Sequence, residues 1–123
     1  MQRLLDSVIL IDHFNDIPAA SEYLRGLSPE TTAVSVITRA ELLVGLEGSG
    51  LAKAKVLLDQ YVLLSIDGPI ADKAAELRRL YGWKLPDAFQ AALAIMNSAK
   101  LVTRNTKDFD PARHQFIEIP YTL

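Results

Sequence analysis

The chain has 123 residues, half of them hydrophobic, with a net charge of −2 and no cysteine. That length suits one domain with enough apolar material for a core, and the composition excludes a disordered chain. The missing cysteines exclude disulfides, thiolate zinc sites and thiol catalysis, and the slightly negative charge excludes a protein that grips nucleic acid by bulk positive charge alone.

In chain order, Leu4-Leu5 reads as a short strand, followed by a helical stretch over 8–27 in one or two pieces. A strand over 33–36 leads to helices over 37–47 and 51–60, and a strand over 62–66 to helices over 69–82 and 86–98. Strands over 101–103 and 116–119 close the chain. Strands alternating with helices predict an α/β fold: three layers, α/β/α, around a central, mainly parallel five-stranded sheet, with 1–123 as a single domain. No apolar run approaches the roughly 20 residues of a membrane span. The opening Met1-Gln2-Arg3-Leu4-Leu5-Asp6 meets an acid too early for a secretion signal, so the expected location is the cytoplasm.

Parallel sheets bind ligands at the carboxyl ends of their strands. Asp6, Asp67, Thr103, Arg104, Asn105 and Asp108 are predicted there. Each acid of interest has two readings. Asp6, at a strand-to-helix turn, is either a helix cap or a metal carboxylate. Glu41 closes Thr38-Arg39-Ala40-Glu41, which has capping-box spacing. At about 100° per residue, the apolar residues of 37–47 also surround most of that helix, leaving a gap at Thr38, Glu41, Gly45 and Gly48. A helix apolar nearly all round should be largely buried, and its gap would present one carboxylate beside small residues, as in the wall of a cleft. Asp87 follows Pro86 in a first helical turn, where an acid suits the helix dipole; Ala91, Ala94 and Ser98 extend its stripe. Asp108 lies in a polar turn that Phe109 would pin to the core.

No local role covers the set of four acids near one sheet edge. Carboxylates converging there would raise one another's pKa unless a cation joined them. Mg²⁺ takes hard oxygen ligands, often one or two carboxylates plus water and phosphate, and activates water against a phosphodiester.

These segments resemble a known family. Leu4-Leu5-Asp6-Ser7-Val8-Ile9-Leu10-Ile11-Asp12, Ser35-Val36-Ile37-Thr38-Arg39-Ala40-Glu41-Leu42-Leu43-Val44-Gly45, Leu85-Pro86-Asp87-Ala88-Phe89-Gln90-Ala91-Ala92-Leu93-Ala94 and Leu101-Val102-Thr103-Arg104-Asn105-Thr106-Lys107-Asp108-Phe109 are similar, in this order, to the four motifs of PIN-domain ribonucleases. Within that family the match is to the VapC-type toxins of toxin–antitoxin pairs. The resemblance implies a PIN-like three-layer fold, dependence on Mg²⁺ or Mn²⁺, cleavage of single-stranded RNA, a homodimer, and inhibition by an antitoxin protein. It implies Asp6 and Asp87 as metal ligands, Glu41 and Asp108 completing the catalytic pocket, and Ser7, Thr103 and Asn105 as supporting polar groups. The chain departs from the family at Val8, where a small polar residue is usual.

Arg39, Lys84, Arg104 and Lys107 are the candidate RNA-binding cations, each also readable as a solvated surface charge. A histidine pair with a 2′-OH nucleophile would need His13 and His114, and no third residue marks a site for either. A phosphoacceptor domain using Asp67 lacks the acidic pair after the first strand. The remaining alternative is a non-catalytic RNA- or protein-binding module on the same fold.

Overall fold

The computed structural model describes residues 1–123. The elements run β1 (Arg3–Leu5), α1 (Ser7–Phe14), α2 (Pro18–Arg25), β2 (Thr32–Ser35), α3 (Val36–Val44), α4 (Gly48–Leu58), β3 (Val62–Leu64), α5 (Gly68–Tyr81), α6 (Leu85–Met96), β4 (Lys100–Val102) and β5 (Ile117–Glu118), with a short 3₁₀ turn at Pro29–Thr31. All strand pairs are parallel, in the order β3-β2-β1-β4-β5.

Alternation within the three central strands sets the layers, because successive strand residues point to opposite faces. Leu4, Ala33 and Leu101 pack with the apolar sides of α5 and α6, together with Phe109 and Trp83. Their neighbours Leu5, Val34 and Val102 pack with α1, α2, α3 and α4 on the other face. A parallel sheet covered on both faces needs strands that are apolar throughout, and these three pairs have no exposed surface. On α6, Ala88, Ala91, Ala92 and Ala94 are fully buried. Their small side chains let the helix lie close to the sheet and to α5.

The stretch 8–27 divides because Asn15 ends α1, Asp16 takes a left-handed φ of 59°, and Pro18 starts α2. Two expectations about α3 need correction. The helix does not begin at a Thr38 capping box: β2 passes directly into it, and the hydroxyl of Ser35 accepts the Thr38 N–H at 3.0 Å. Glu41 therefore lies well inside the helix. Nor is α3 largely buried: only Thr38 and Leu42 are, while Val44 is 87% exposed. One side of α3 meets the sheet, α1 and α4, and nothing in the chain covers the other. No helix is long and apolar enough to cross a membrane.

Candidate active site

The chain leaves β1 toward one edge of the sheet, through β2 and β3, and reaches the other edge through β4 and β5. Between β1 and β4 the two directions part, and such a switch point opens a crevice beyond the strand ends. Asp6 ends β1 there and Thr103 ends β4.

Asp6 is only 8% exposed. Its Oδ1 accepts the Ser7 N–H at 2.9 Å, capping α1, and its Oδ2 accepts the Thr103 hydroxyl at 2.7 Å. The cap and the site are thus the same carboxylate. Thr103 Oγ1 also accepts the Asn105 N–H at 3.0 Å, which folds the following loop. Within that loop the Asn105 amide donates to Asp108 Oδ2 at 3.0 Å, and Asn105 Oδ1 accepts the Asp108 N–H at 3.3 Å. Fully buried Phe109 anchors the far end. Val8 turns away from this region and packs in the apolar cluster beneath α1, so the unusual residue serves the core.

Asp87 shows that the acids share one field. Burial, and then the charges of Asp6, Asp108 and Glu41, push its carboxyl up from 3.8 to about 6, against a smaller opposing pull from Lys84. Glu41, at the solvent edge, is also raised; partial burial is the main cause, opposed by the Ser7 hydroxyl and aided by the charge of Asp6. No three acidic or histidine side chains form a ready-made metal cage. Asp6 and Asp87, near enough to feel each other's charge, could supply the one or two carboxylates that an ion such as Mg²⁺ takes beside its waters.

This shift, from burial first and the neighbouring charges second, has a consequence for stability. The folded chain holds a proton on Asp87 between about pH 4 and 6 that the unfolded chain has released. Stability is therefore full below pH 4 and falls as the pH rises through about 6. Because Asp87 is only partly buried, solvent screening reduces the cost at neutral pH to about 1 kcal/mol. In chelator at about pH 7.5, Asp87→Asn is expected to be about 1 kcal/mol more stable than wild type toward urea, with the difference vanishing near pH 4. Equal stability at both pH values would contradict a raised Asp87 pKa.

Sequence reasoning missed a buried polar network behind Asp6. Gln90, 2% exposed and one turn beyond Asp87 on α6, accepts the Ser35 hydroxyl at 2.6 Å. Its amide donates to Thr38 Oγ1 at 2.6 Å and, at 3.4 Å, to Asp6 Oδ1. The Thr38 hydroxyl in turn donates to the Leu5 carbonyl at 3.3 Å. The network joins β1, β2, α3 and α6 behind the carboxylates, and no buried side-chain polar atom is left without a partner. The available signal was helical spacing: Gln90 stands three residues after Asp87, on the same face.

Of the four candidate cations, two are engaged elsewhere. Arg39 reaches Asp59 at the end of α4 at 3.0 Å, and Arg104 binds Asp12. Lys84 and Lys107 are exposed and make no ion pair. His13 shares a 2.7 Å hydrogen bond with Ser21, whereas His114 packs among Tyr81, Trp83 and Phe116, so the two histidines serve separate clusters. Asp67 caps α5 by accepting the Ile70 N–H at 3.0 Å.

The PIN-domain family model matches residues 3–114, a span containing all four acids. The chain belongs to the PIN-domain family. As a PIN domain it is 33% identical over 114 residues to Ribonuclease VapC19 of Mycobacterium tuberculosis (strain CDC 1551 / Oshkosh), covering 87% of this chain and 91% of that protein. Among solved structures, a toxin–antitoxin complex from Klebsiella pneumoniae contains a chain with a TM-score of 0.90 and 33% identity, over 99% of this chain and 100% of its own. VapBC2 from Rickettsia felis, bound to a DNA fragment from their promoter, gives a TM-score of 0.79 at 25% identity, covering 96% of this PIN domain and 98% of that chain. The three-layer PIN fold expected from the sequence is the fold observed, with a sheet that is parallel throughout.

Proposed function

We propose that this PIN domain, acting as a single unit over 1–123, is a Mg²⁺-dependent endoribonuclease of single-stranded RNA and the toxin of a toxin–antitoxin pair. The observation that carries the reading is the gathering of Asp6, Glu41, Asp87 and Asp108 from four separate segments into one electrostatic field. The ribonuclease relative and the toxin–antitoxin neighbours support the same reading.

Asp6 and Asp87 would hold the ion, with Glu41 and Asp108 at the rim, directly or through water. When bound, Mg²⁺, or Mn²⁺ in its place, supplies an activated water and neutralises charge on the scissile phosphate. Thr103 and the Gln90 network fix Asp6, so its carboxylate needs little reorganisation before reaction. Asn105 holds Asp108 at the mouth of the cleft. Lys84 and Lys107 stand nearest the acids as free cations and would hold backbone phosphates; the ion pairs of Arg39 and Arg104 leave them the smaller part in that task.

For partners, the uncovered apolar residues Ile11, Val44 and Val56 lie on α1, α3 and α4. They suit a homodimer and a cognate antitoxin, whose arginine would pair with the pocket's carboxylates. The location consistent with this activity is the cytoplasm. Purified protein incubated with end-labelled single-stranded RNA is expected to cut it with Mg²⁺ or Mn²⁺ and to stop in EDTA. Cutting that persists in EDTA, or RNA bound without any cutting in either metal, would favour other chemistry or a non-catalytic module.

A further inference from the structure

Beside the acidic site lies a second cleft of about 340 Å³, bounded by the end of α5, the turn into α6 and the loop 104–114. Tyr81, Trp83 and His114 line it with Lys107, Arg113 and Asp108. Its volume reaches the lower end of the range for small-molecule sites.

The cleft has a built floor. Gly82, with a left-handed φ of 73°, reverses the chain between Tyr81 and Trp83, and the two rings stack at 4.6 Å and 25°. Trp83 is buried and held from two sides: its indole N–H donates to the Asp108 carbonyl at 2.9 Å, and its ring meets Phe109 at 4.8 Å. The Arg78 guanidinium donates to the Trp83 carbonyl at 2.8 Å. His114 stands edge-on to Tyr81 at 4.9 Å. Tyr81 is thus backed and oriented by buried rings, yet it remains 42% exposed. Lys107 and Arg113 flank it, both exposed and neither in an ion pair.

A fixed, partly exposed aromatic ring beside two free cations is the combination that holds single-stranded nucleic acid: a base stacks and the phosphates meet the charges. Asp108 belongs to both clefts: its carbonyl accepts the Trp83 indole N–H, while its carboxylate accepts from Asn105, whose N–H is held by Thr103 beside Asp6. A strand threaded past the acids would therefore pass over Tyr81.

We infer that this polar cleft, with Tyr81 at its rim, is a nucleotide subsite: Lys107 and Arg113 take the phosphates of the RNA strand next to the cleaved bond, and one base stacks on the part of Tyr81 exposed at the rim. This rests on the ribonuclease reading above. It adds Tyr81 and Arg113 as binding residues and gives Lys107 a specific place.

The chain's single tryptophan is Trp83, so its emission reports locally on this cleft. Stopped-flow mixing of the intact chain with a single-stranded RNA dodecamer in Mg²⁺ reads that emission before turnover. The expected result is a saturable quench. Tyr81→Ala should weaken the midpoint and raise KM roughly tenfold with kcat little changed, the loss typical of one stacked base. Tyr81→Phe, which keeps the ring, should recover most of the lost midpoint and KM, and the kept kcat of Tyr81→Ala guards against a folding defect. Lys107→Ala with Arg113→Ala should reduce the slope of log affinity against log salt by about 1.4. If wild type cuts RNA but shows no quench, or Tyr81→Ala leaves KM unchanged, the subsite is refuted while the ribonuclease reading stands. If wild type cuts nothing, that reading falls and the quench decides the subsite alone. A quench by RNA that Tyr81→Ala abolishes supports it; a quench by polyglutamate and not by RNA overturns it.

Discussion

Asp6→Asn is expected to abolish RNA cleavage while leaving the fold intact. Asparagine is as good a helix cap as aspartate: with its oxygen at the Oδ1 position it still accepts the Ser7 N–H, and its NH2 at the Oδ2 position can donate to Thr103 Oγ1 once that hydroxyl turns from donor to acceptor. What it removes is one full negative charge at the most enclosed carboxylate of the site. A metal contributes several kcal/mol to charge stabilisation in phosphodiester hydrolysis, so its loss corresponds to a rate decrease on the order of a thousandfold or more. The check is kcat/KM on single-stranded RNA beside thermal unfolding of the same preparation. Added Mg²⁺ should also raise the melting temperature of wild type, by binding only the folded state, and should not raise that of Asp6→Asn. Unchanged turnover in the variant would refute the site; a collapsed melting curve would instead assign Asp6 to stability.

Arg104→Ala is expected to produce the largest loss of stability. Asp12 on α1 is 6% exposed, and Arg104 grips it with two bonds, Nε to Oδ2 at 2.6 Å and Nη2 to Oδ1 at 2.9 Å. Tyr121 adds a third at 2.8 Å. Removing one partner of such a pair leaves a carboxylate enclosed without its cation, which costs about 3–5 kcal/mol in buried examples. Arg104 keeps 30% of its side chain in solvent, so water can partly replace it and about 3 kcal/mol is expected. For a domain of this length that is roughly a 10 °C fall in Tm. The pH dependence gives a sign. The Arg104 hydrogen bond, opposed by burial and aided by Tyr121, holds the Asp12 carboxyl below its usual value of 3.8. Its stabilisation is present above that pH and is lost as the pH falls through the depressed folded value. The gap between wild type and Arg104→Ala should therefore narrow in acid. Arg104→Lys should recover only part, since lysine lacks the fork. A Tm within a degree of wild type at neutral pH would show that Arg104 is free for other work.

That ion pair also bears on activity. Arg104 directly follows Thr103, the residue that steadies Asp6, and precedes Asn105, which holds Asp108. Pinning Arg104 to α1 holds both ends of this short loop in place. The sequence suggested Arg104 as an RNA contact because an arginine inside an acidic motif offers a phosphate ligand. Its actual partner lies 92 positions earlier in the chain, beyond the reach of any local pattern. Arg39 is a similar case on a smaller scale, since Asp59 becomes its neighbour only when α4 folds back.

The same distinction separates the two faces of α3. Periodicity correctly marked Thr38 and Glu41 as lying in a gap between apolar residues. Periodicity cannot say how much of the apolar remainder finds a cover, and here Val44 finds none. Capping was misread for a related reason. Thr38 and Glu41 have the right spacing, but Ser35 lies where the strand ends, and its hydroxyl reaches the Thr38 N–H first.

By itself the sequence determined the alternation of strands and helices and the five strands, and it offered Asp6, Glu41, Asp87 and Asp108 as the candidate acids. The elements follow from residue type and short-range spacing, since apolar runs make strands and 3.6-residue periods make helices, and the loops and helix starts that follow parallel strands lie at one edge of the sheet. Tertiary structure alone decided that Gln90 backs Asp6, that Asp12 claims Arg104, and that Tyr81 is propped on Trp83 beside the acids. These are contacts between side chains whose distance apart in the chain carries no trace in composition or period. They are set by which faces of the helices the sheet brings together, and so they come into being only with the packed fold.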